Sequence, residues 1–380
     1  MTYQAVVDRF PMPVPLDPLS ATLFVALFAA VVVVTARRPA YGLSALILVT
    51  PFSLARDISV TTITLPKVAL VGVLIGLCAC PRAAARLRDR PVPLLLGAAL
   101  AYAAVVALTA IDAAHRGPAA RETFKYLQYA VTFAAAYLCR RVDADDAVLI
   151  DAMALAAIVV SATALAQEIV GAPSGLYVGQ AIVPRIAGAL EGPNQLAGYY
   201  QIAVAALGAW SFVRRSLLLD VALAVCVCAD VLTFSRAGLL GLAVVVLVLI
   251  AFRGRTSLRA LAPAAAGLAA GLCVVGWWAF YAHTVNVLRI SLAESTYAGG
   301  VGDRRELWAA AWRMWMRHPI IGVGAGNYEL DLPLYGVYGV RTHANSWFLQ
   351  SLAEGGLALF AATLALVGAI LATFLRALRR

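Results

Sequence analysis

The sequence predicts an all-α polytopic membrane protein, and three observations carry this prediction. Of the 380 residues, 62% are hydrophobic and only 13% are charged, whereas soluble proteins average about half apolar and about a quarter charged. Apolar runs long enough to cross roughly 30 Å of hydrocarbon recur along the chain. Arginines cluster at alternate connections between these runs. We therefore expect a single transmembrane domain over residues 1–380, with about eleven spans, or twelve if one segment contains two passes.

The candidate spans follow one another from the start of the chain to its end. They cover residues 18–36, 40–56, 65–81, 91–111, 123–139, 147–170, 194–213, 216–234, 237–252, 260–282 and 346–375. All six cysteines fall inside these spans, where a free cysteine behaves as a small hydrophobe. We therefore expect no disulfide and no metal site.

The basic residues predict the orientation, because cytoplasmic connections carry the excess of lysine and arginine. Alternate connections hold six groups, namely Arg37/Arg38, Arg82/Arg86/Arg88/Arg90, Arg140/Arg141, Arg214/Arg215, Arg253/Arg255/Arg259 and Arg376/Arg379/Arg380. This alternation predicts an external N-terminus and a cytoplasmic C-terminus. The net charge of +10 then reflects topology, and nucleic-acid binding is disfavoured because it needs a basic face on a soluble domain.

The other basic residues and all four histidines lie on the predicted outer side, which points to an anionic external ligand. Long external loops also escape the charge rule, so ordinary solvated surface is the alternative for residues such as Arg313 and Arg317. Arg236 is different because it lies in LTFSRAGLLGL, within a very short turn between two apolar spans. An ionisable residue at membrane depth is a functional candidate, with pairing to Asp230 as the structural alternative.

Two predicted exoplasmic loops, residues 171–193 and 283–345, interrupt the helical pattern. The first contains helix-breaking glycines and prolines and places Arg185 near the start of the next span. The second is unusually long for a loop without function. It contains GDRRELWAAAWRMWMRHP, which predicts a short helix, with Asp303 and Glu306 resembling a capping box and Pro319 as a stop signal.

The loop helix has two contrasting faces at 100° per residue. One face carries Arg304, Trp308, Trp312 and Trp315. The opposite face carries Glu306, Arg313 and Arg317. Interfacial tryptophans commonly anchor a protein at the membrane, and Arg304 is expected to face lipid or protein with them. The following IIGVGAGNY contains closely spaced glycines, which permit close backbone approach to a ligand.

Four motifs in this order give the chain a family resemblance. They are RIAGALEGPNQLA, LTFSRAG, RRELWAAAWRMWMRHPIIGVGAGNY and THANSWFLQSLAEGG, within residues 185–360. The set resembles the O-antigen ligase and polymerase family of bacterial membrane glycosyltransferases, which use lipid-linked sugars. The resemblance implies transfer of a glycan from a polyprenyl diphosphate to an acceptor on the outer side of the cytoplasmic membrane, without a nucleotide sugar, metal or cofactor.

The resemblance also implies roles for individual arginines. Arg236 and Arg304 match the family's catalytic arginines, and Arg185 matches the arginine before the Pro-Asn pair. Guanidinium groups bind phosphate oxygens through charge-assisted hydrogen bonds and stabilise charge on a leaving diphosphate. The further residues expected to bind substrate are Asn194, Arg305, Arg341 and Asn345.

His343 is the expected general base. Relatives usually carry a His-Asn pair about ten residues before the glycine that corresponds to Gly356, often with another histidine two positions earlier. Here Asn345 and Ser346 occupy the pair and His343 the earlier position. Histidine titrates near working pH. The alternatives are that His343 bonds a loop carbonyl, and that Glu191 or Asp230 is the base.

The implied donor is an undecaprenyl-diphosphate-linked glycan, and the implied acceptor is the lipid A core oligosaccharide or another glycan. The implied location is the bacterial inner membrane, with the site facing the periplasm. A polymerase of O-antigen or exopolysaccharide that adds to a lipid-linked repeat, and a protein O-glycosylating enzyme, remain alternatives. A membrane transporter is a further alternative, although transporters often show inverted repeats and the sequence shows none.

Overall fold

The computed structural model describes residues 12–13, 18–52, 54–58, 61–83, 93–172, 174–178, 181–253, 257–281, 304–339 and 341–378. This part of the chain is mainly helical, as predicted. The helices are α1 (Pro18–Arg37), α2 (Pro39–Val49), α3 (Leu65–Cys78), α4 (Leu94–Thr109), α5 (Arg116–Val142), α6 (Asp146–Val170), α7 (Pro193–Trp210), α8 (Leu217–Leu232), α9 (Arg236–Arg253), α10 (Ser257–Ala260), α11 (Ala262–Tyr281), α12 (Arg304–Arg317), α13 (Tyr328–Asp331) and α14 (Trp347–Leu378).

Each predicted span overlaps a helix over most of its length, but the boundaries differ. The run 40–56 is helical only to Val49, because Pro51 cannot continue a helix. By length and apolar composition, two helices in the described part of the chain could cross a membrane, namely α6 and residues Trp347–Ala377 of α14. The predicted number of spans therefore stays a prediction.

Two small sheets, which were not predicted from the sequence, accompany the helices. In the first, β1 (Met12–Pro13) pairs in parallel with β2 (Leu54–Ile58), which pairs antiparallel with β3 (Thr61–Thr64). In the second, β4 (Ser174–Val178) and β5 (Ala181–Arg185) form an antiparallel pair with Ser174 opposite Arg185. The predicted external loop 171–193 is thus partly a hairpin, and Arg185 is its last strand residue.

The chain forms two compact units. The first comprises Met1–Ala85 and Cys139–Ala298, and the second comprises Arg86–Leu138 and Gly299–Arg380. In the first unit, α8 packs against α6, α7 and α11 around a core that includes Tyr200 and Leu223. A Cβ added to Gly267 of α11 would lie 2.1 Å from the carbonyl oxygen of Ala224 in α8, so these helices approach through small residues.

In the second unit, α12 packs against α14, and α4 also packs against α14. The buried face of α12 consists of Leu307, Ala310, Ala311 and Met314. It shares a core with Tyr328 of α13, Leu332 of the 3₁₀ turn Leu332–Tyr335, and Ala353 of α14. This core fixes the loop helix, the short α13 and the beginning of α14 relative to one another.

Candidate active site

The long helix α14 is broken at Gly356, within the LAEGG motif. Gly356 has φ 57° and ψ −153°, which is not helical. Beyond it, the backbone N–H groups of Leu357 and Ala358 donate to the carbonyl oxygens of Pro319 and Ile320 at 2.8 and 3.1 Å. A Cβ on Gly356 would lie 2.4 Å from the carbonyl carbon of Ile320. The motif therefore needs glycine because another backbone segment occupies the space beside the break.

The glycine run after α12 supplies that segment. Gly324 N donates to the carbonyl oxygen of Glu354 at 2.9 Å. A Cβ on Gly322 would lie 2.3 Å from the carbonyl carbon of Glu354, and one on Gly326 would lie 3.0 Å from Cγ of Glu122. These glycines were expected to allow a ligand to approach. Instead, the space beside Gly322 is filled by the backbone of α14, and the space beside Gly326 is filled by the Glu122 side chain of α5.

His343 and Glu329 form a histidine–carboxylate pair in the second unit. The imidazole Nδ1 lies 2.9 Å from Oε1 of Glu329, and the side chains are 79% and 31% exposed. The hydrogen bond to Glu329 raises the pKa of His343 above its ordinary value. The same bond lowers the pKa of Glu329, to which the charge of Arg341 also contributes. With Nδ1–H donating to the carboxylate, Nε2 is the nitrogen that can accept a proton.

Further charges surround this pair. Nζ of Lys125 donates to both carboxylate oxygens of Glu122, at 2.8 and 2.9 Å, and the positive charge of Lys125 acts on both Glu329 and His343. Lys125 is one of the basic residues predicted on the outer side, whereas Glu122 and Glu329 were not predicted from the sequence. The spacing of three between Glu122 and Lys125 is a signal for a helical ion pair. No motif marked Glu329.

The backbone beside His343 is held from two helices. Ala344 is buried, and its carbonyl oxygen accepts a hydrogen bond from Nε1 of Trp308 at 2.8 Å. Its N–H donates to Oε1 of Gln350 at 2.8 Å. Gln350 in turn donates through Nε2 to Oε1 of Glu354 at 2.7 Å. The loop that carries His343 is therefore attached to both α12 and α14.

Asn345 continues this loop in a left-handed conformation, with φ 53°, which asparagine tolerates better than most residues. Its Nδ2 donates to the carbonyl oxygen of His343 at 3.2 Å. The side-chain oxygen of Ser346 accepts from Leu349 N at 3.4 Å and so caps α14. Asn345 thus shapes the turn between His343 and the helix, while its predicted contact with substrate stays a prediction.

The tryptophan face of α12 lies outside the core of its unit. Trp308 and Trp312 are 41% and 51% exposed, and Arg304 is exposed at the start of the helix. The opposite face also makes contacts. Nη2 of Arg313 donates to the carbonyl oxygen of Tyr335 at 2.6 Å, and the Arg317 guanidinium lies 5.0 Å from the centroid of the Tyr335 ring. Both arginines are exposed, as expected for solvated surface, and both also contact Tyr335 of the 3₁₀ turn.

In the first unit, Arg185 is attached to the turn that precedes Arg236. Nε of Arg185 donates to the carbonyl oxygen of Thr233 at 2.9 Å. Ser235 caps α9 by accepting from Gly238 N at 3.2 Å, and Arg236 is the first residue of that helix. The structure thus gathers two of the predicted arginines at the turn between α8 and α9.

The other first-unit candidates have contrasting environments. Asp230 is fully buried, and neither of its carboxylate oxygens accepts a hydrogen bond from any residue that the structure describes. No hydrogen bond therefore joins Asp230 to Arg236. Asn194 and Glu191 are exposed at the beginning of α7.

The predicted site residues divide between the two units. Arg185, Asn194 and Arg236 belong to the first, and Arg304, Arg305, Arg341, His343 and Asn345 belong to the second. Asp303, the predicted partner in the capping box, lies outside the described residues.

These features define a helical protein with a histidine–carboxylate pair beside a broken, membrane-length helix. Residues 221–377 match the family model described as O-antigen ligase. The resemblance that the motifs predicted is therefore confirmed for this part of the chain, which is similar to a family of membrane proteins that act on lipid-linked glycans. A search of the curated proteins found no match, and a search of the solved structures found none either. The matched range contains Arg236, Arg304 and His343, whereas Arg185 and Asn194 precede it.

Proposed function

We propose that the protein is an O-antigen ligase-like glycosyltransferase that transfers a glycan from undecaprenyl diphosphate to a hydroxyl group of the lipid A core oligosaccharide. The reaction takes place at the outer face of the bacterial cytoplasmic membrane. The family match supports the class of reaction. The observation that carries the proposal is the pairing of His343 with Glu329 within the matched segment.

His343 acts as the general base in this reaction. Nε2 takes the proton of the acceptor hydroxyl, whose oxygen forms a bond to the anomeric carbon of the donor. The bond from that carbon to the diphosphate breaks, and undecaprenyl diphosphate leaves with the electron pair. Glu329 holds the imidazole through Nδ1 and stabilises the imidazolium that forms, which is the role of the carboxylate in histidine–carboxylate catalytic sites.

Arg304 and Arg305 hold the diphosphate of the donor in the second unit. Both are exposed at the N-terminus of α12, where the helix dipole favours anions. One helical turn after Arg304, Trp308 contacts the carbonyl oxygen of Ala344 beside His343. A helical turn is about 5.4 Å long, so the start of α12 lies close to the loop of the proposed base.

The remaining candidates are assigned to substrate binding. Arg341, whose charge acts on Glu329, and Asn345 contribute on the second unit. For Arg185, Asn194 and Arg236 of the first unit, substrate binding is the role that the family resemblance implies, and for Arg236 it also implies stabilisation of negative charge on a diphosphate. The reaction uses no nucleotide sugar and no cofactor.

The test is a transfer assay with purified protein in lipid nanodiscs, supplied with an undecaprenyl-diphosphate-linked glycan and lipid A core. We expect glycosylated lipid A and free undecaprenyl diphosphate in equal amounts, with His343→Ala as the control for catalysed transfer. Elongation of the lipid-linked glycan without added core would indicate a polymerase. In sealed vesicles, movement of the lipid-linked glycan across the membrane without a new glycosidic bond would indicate a transporter and contradict the proposal.

A further inference from the structure

Ala344, the residue after the proposed base, forms hydrogen bonds with side chains through both of its backbone polar groups. Its carbonyl oxygen accepts from the indole of Trp308 and its N–H donates to the amide of Gln350, both at 2.8 Å. The side chain of Ala344 is buried. The residue next to His343 therefore has a fixed position between α12 and α14.

The amide of Gln350 is itself oriented. Its oxygen accepts from Ala344, while its nitrogen donates to Oε1 of Glu354, one turn further along α14, at 2.7 Å. An amide offers one acceptor end and one donor end, so the two partners together allow only one orientation. Glu354 lies just before the break of α14, and its carbonyl oxygen accepts from Gly324. The support of the loop thus extends to the broken helix.

The imidazole of His343 gains little support from packing, because the side chain is 79% exposed. The bond to Glu329 orients the ring, but it does not determine where the backbone of His343 lies. A displacement of about 1 Å at a reacting group can cost roughly 100-fold in rate. Asn345 Nδ2 bonds the carbonyl oxygen of His343 at 3.2 Å within the same loop, whereas the hydrogen bonds at Ala344 attach this backbone to α12 and α14.

We propose that Trp308 and Gln350 are positioning residues for His343, acting through the carbonyl and the N–H of Ala344. This inference rests on the proposed function, since it gives both residues a role in proton removal by His343. The positioning role of Trp308 differs from the expected role as a membrane anchor. Positioning depends on the indole N–H, whereas anchoring depends on the apolar ring.

The first experiment is a double-mutant cycle on the rate of glycan transfer. Trp308→Phe keeps an aromatic ring and removes the N–H, and Gln350→Leu removes both hydrogen bonds of the amide. We expect each to lower kcat about tenfold, the cost of one or two hydrogen bonds, with little change in KM for the donor. In the His343→Ala background each should change the residual rate less than about twofold, because residues that act through one group are not additive.

The matched control is Trp312→Phe, which alters an exposed tryptophan on the same helix. It should leave kcat within about twofold of the parent, as for an ordinary surface substitution. Equal losses for Trp308→Phe and Trp312→Phe would show that the aromatic surface matters and not the hydrogen bond. If each substitution lowers the transfer rate by the same factor in the parent and in the His343→Ala background, Trp308 and Gln350 only stabilise the fold. Either result overturns the positioning role.

Hydrogen exchange supplies a second measurement that does not depend on a residual rate. The backbone amides of residues 341–346 should exchange faster in Trp308→Phe and Gln350→Leu than in the parent and in Trp312→Phe. Unchanged exchange there contradicts the inference. Failure of the proposed function looks different, because the parent itself would then form no glycosidic bond, or His343→Ala would transfer glycan as fast as the parent.

Discussion

Nδ1 of His343 lies 2.9 Å from Oε1 of Glu329, which joins the loop before α14 to the short helix α13. The carboxylate raises the pKa of the imidazole, and the imidazole lowers the pKa of the carboxyl group. Between these two pKa values both partners are charged and attract each other. Above the pKa of His343 the imidazole is neutral, and it can then accept a proton through Nε2 while Nδ1 stays bonded to Glu329.

Glu329→Gln should shift the pH dependence of transfer toward lower pH. The base must be neutral to act, so kcat/KM falls as the pH decreases through the pKa of His343. The hydrogen bond to the Glu329 carboxylate is the main cause that raises this pKa. Without it, the pKa of His343 is lower, and the acid limb of the profile should shift to lower pH. The maximum rate should also fall about tenfold or more, because the imidazolium loses its partner.

The control for this variant is Glu306→Gln, which neutralises an exposed carboxylate on α12. Its profile should match that of the parent. If the acid limb of Glu329→Gln coincides with that of the parent, His343 is not the group whose ionisation limits the reaction.

The helices could be predicted from the sequence, and His343 could be selected as the expected base, because the signals for both are local. Each span is an apolar run, and His343 belongs to a motif that can be read along the chain. The break at Gly356 is also marked by the Gly-Gly pair in LAEGG, although its partners at Pro319 and Ile320 are not.

The supporting residues could not be predicted in this way. Glu329 precedes His343 by 14 residues, and Trp308 precedes Ala344 by 36. Only the shared core of α12, α13 and α14 brings them together. The hairpin of β4 and β5 was missed because glycines and prolines in that segment signal a break in helix without specifying what replaces it.

Gly356→Ala should destabilise the protein, because alanine is strained at φ 57° and its Cβ would meet the carbonyl of Ile320 at 2.4–2.5 Å. A strained backbone position costs about 1–3 kcal/mol. Gly368→Ala is the matched control, since a Cβ there meets nothing within 4 Å and alanine favours a helix. Thermal unfolding in detergent should show a lower Tm for the first variant only. Equal Tm values would contradict the packing at the break.

Arg304→Ala should reduce transfer by roughly 10²–10³, as for the loss of a group that stabilises developing charge. Arg304→Lys should restore little, because an ammonium group cannot reproduce the planar fork of a guanidinium. Arg317→Ala is the control on the same helix. It loses the contact with the ring of Tyr335, which is worth about 0.5–1 kcal/mol at an exposed site. Equal losses of activity at both positions would remove Arg304 from the donor site.

The predicted topology can be tested within the second unit. A cysteine at Tyr338, which is 74% exposed, should react with an impermeant thiol reagent added outside intact cells. A cysteine at Ala377, near the other end of α14, should react only after the membrane is permeabilised. Labelling of the parent protein, which has no added cysteine, measures the reaction of its native cysteines. Reversed labelling would place the proposed site in the cytoplasm.

His343→Ala should leave the protein folded and able to bind the lipid diphosphate, because the arginines proposed to hold the donor are unchanged. Transfer should nevertheless fall by about 10²–10⁴, as expected for a lost general base. Asn345→Ala should cost less, since Asn345 shapes the turn and donates to the carbonyl oxygen of His343 without taking the proton. Donor binding is measured separately from transfer. A variant that binds the donor but does not transfer has lost the base, whereas a variant that no longer binds the donor has lost the site. If His343→Ala keeps the parental rate while Asp230→Ala or Glu191→Ala is inactive, the base is a carboxylate of the first unit, and His343 serves only to tie its loop to Glu329.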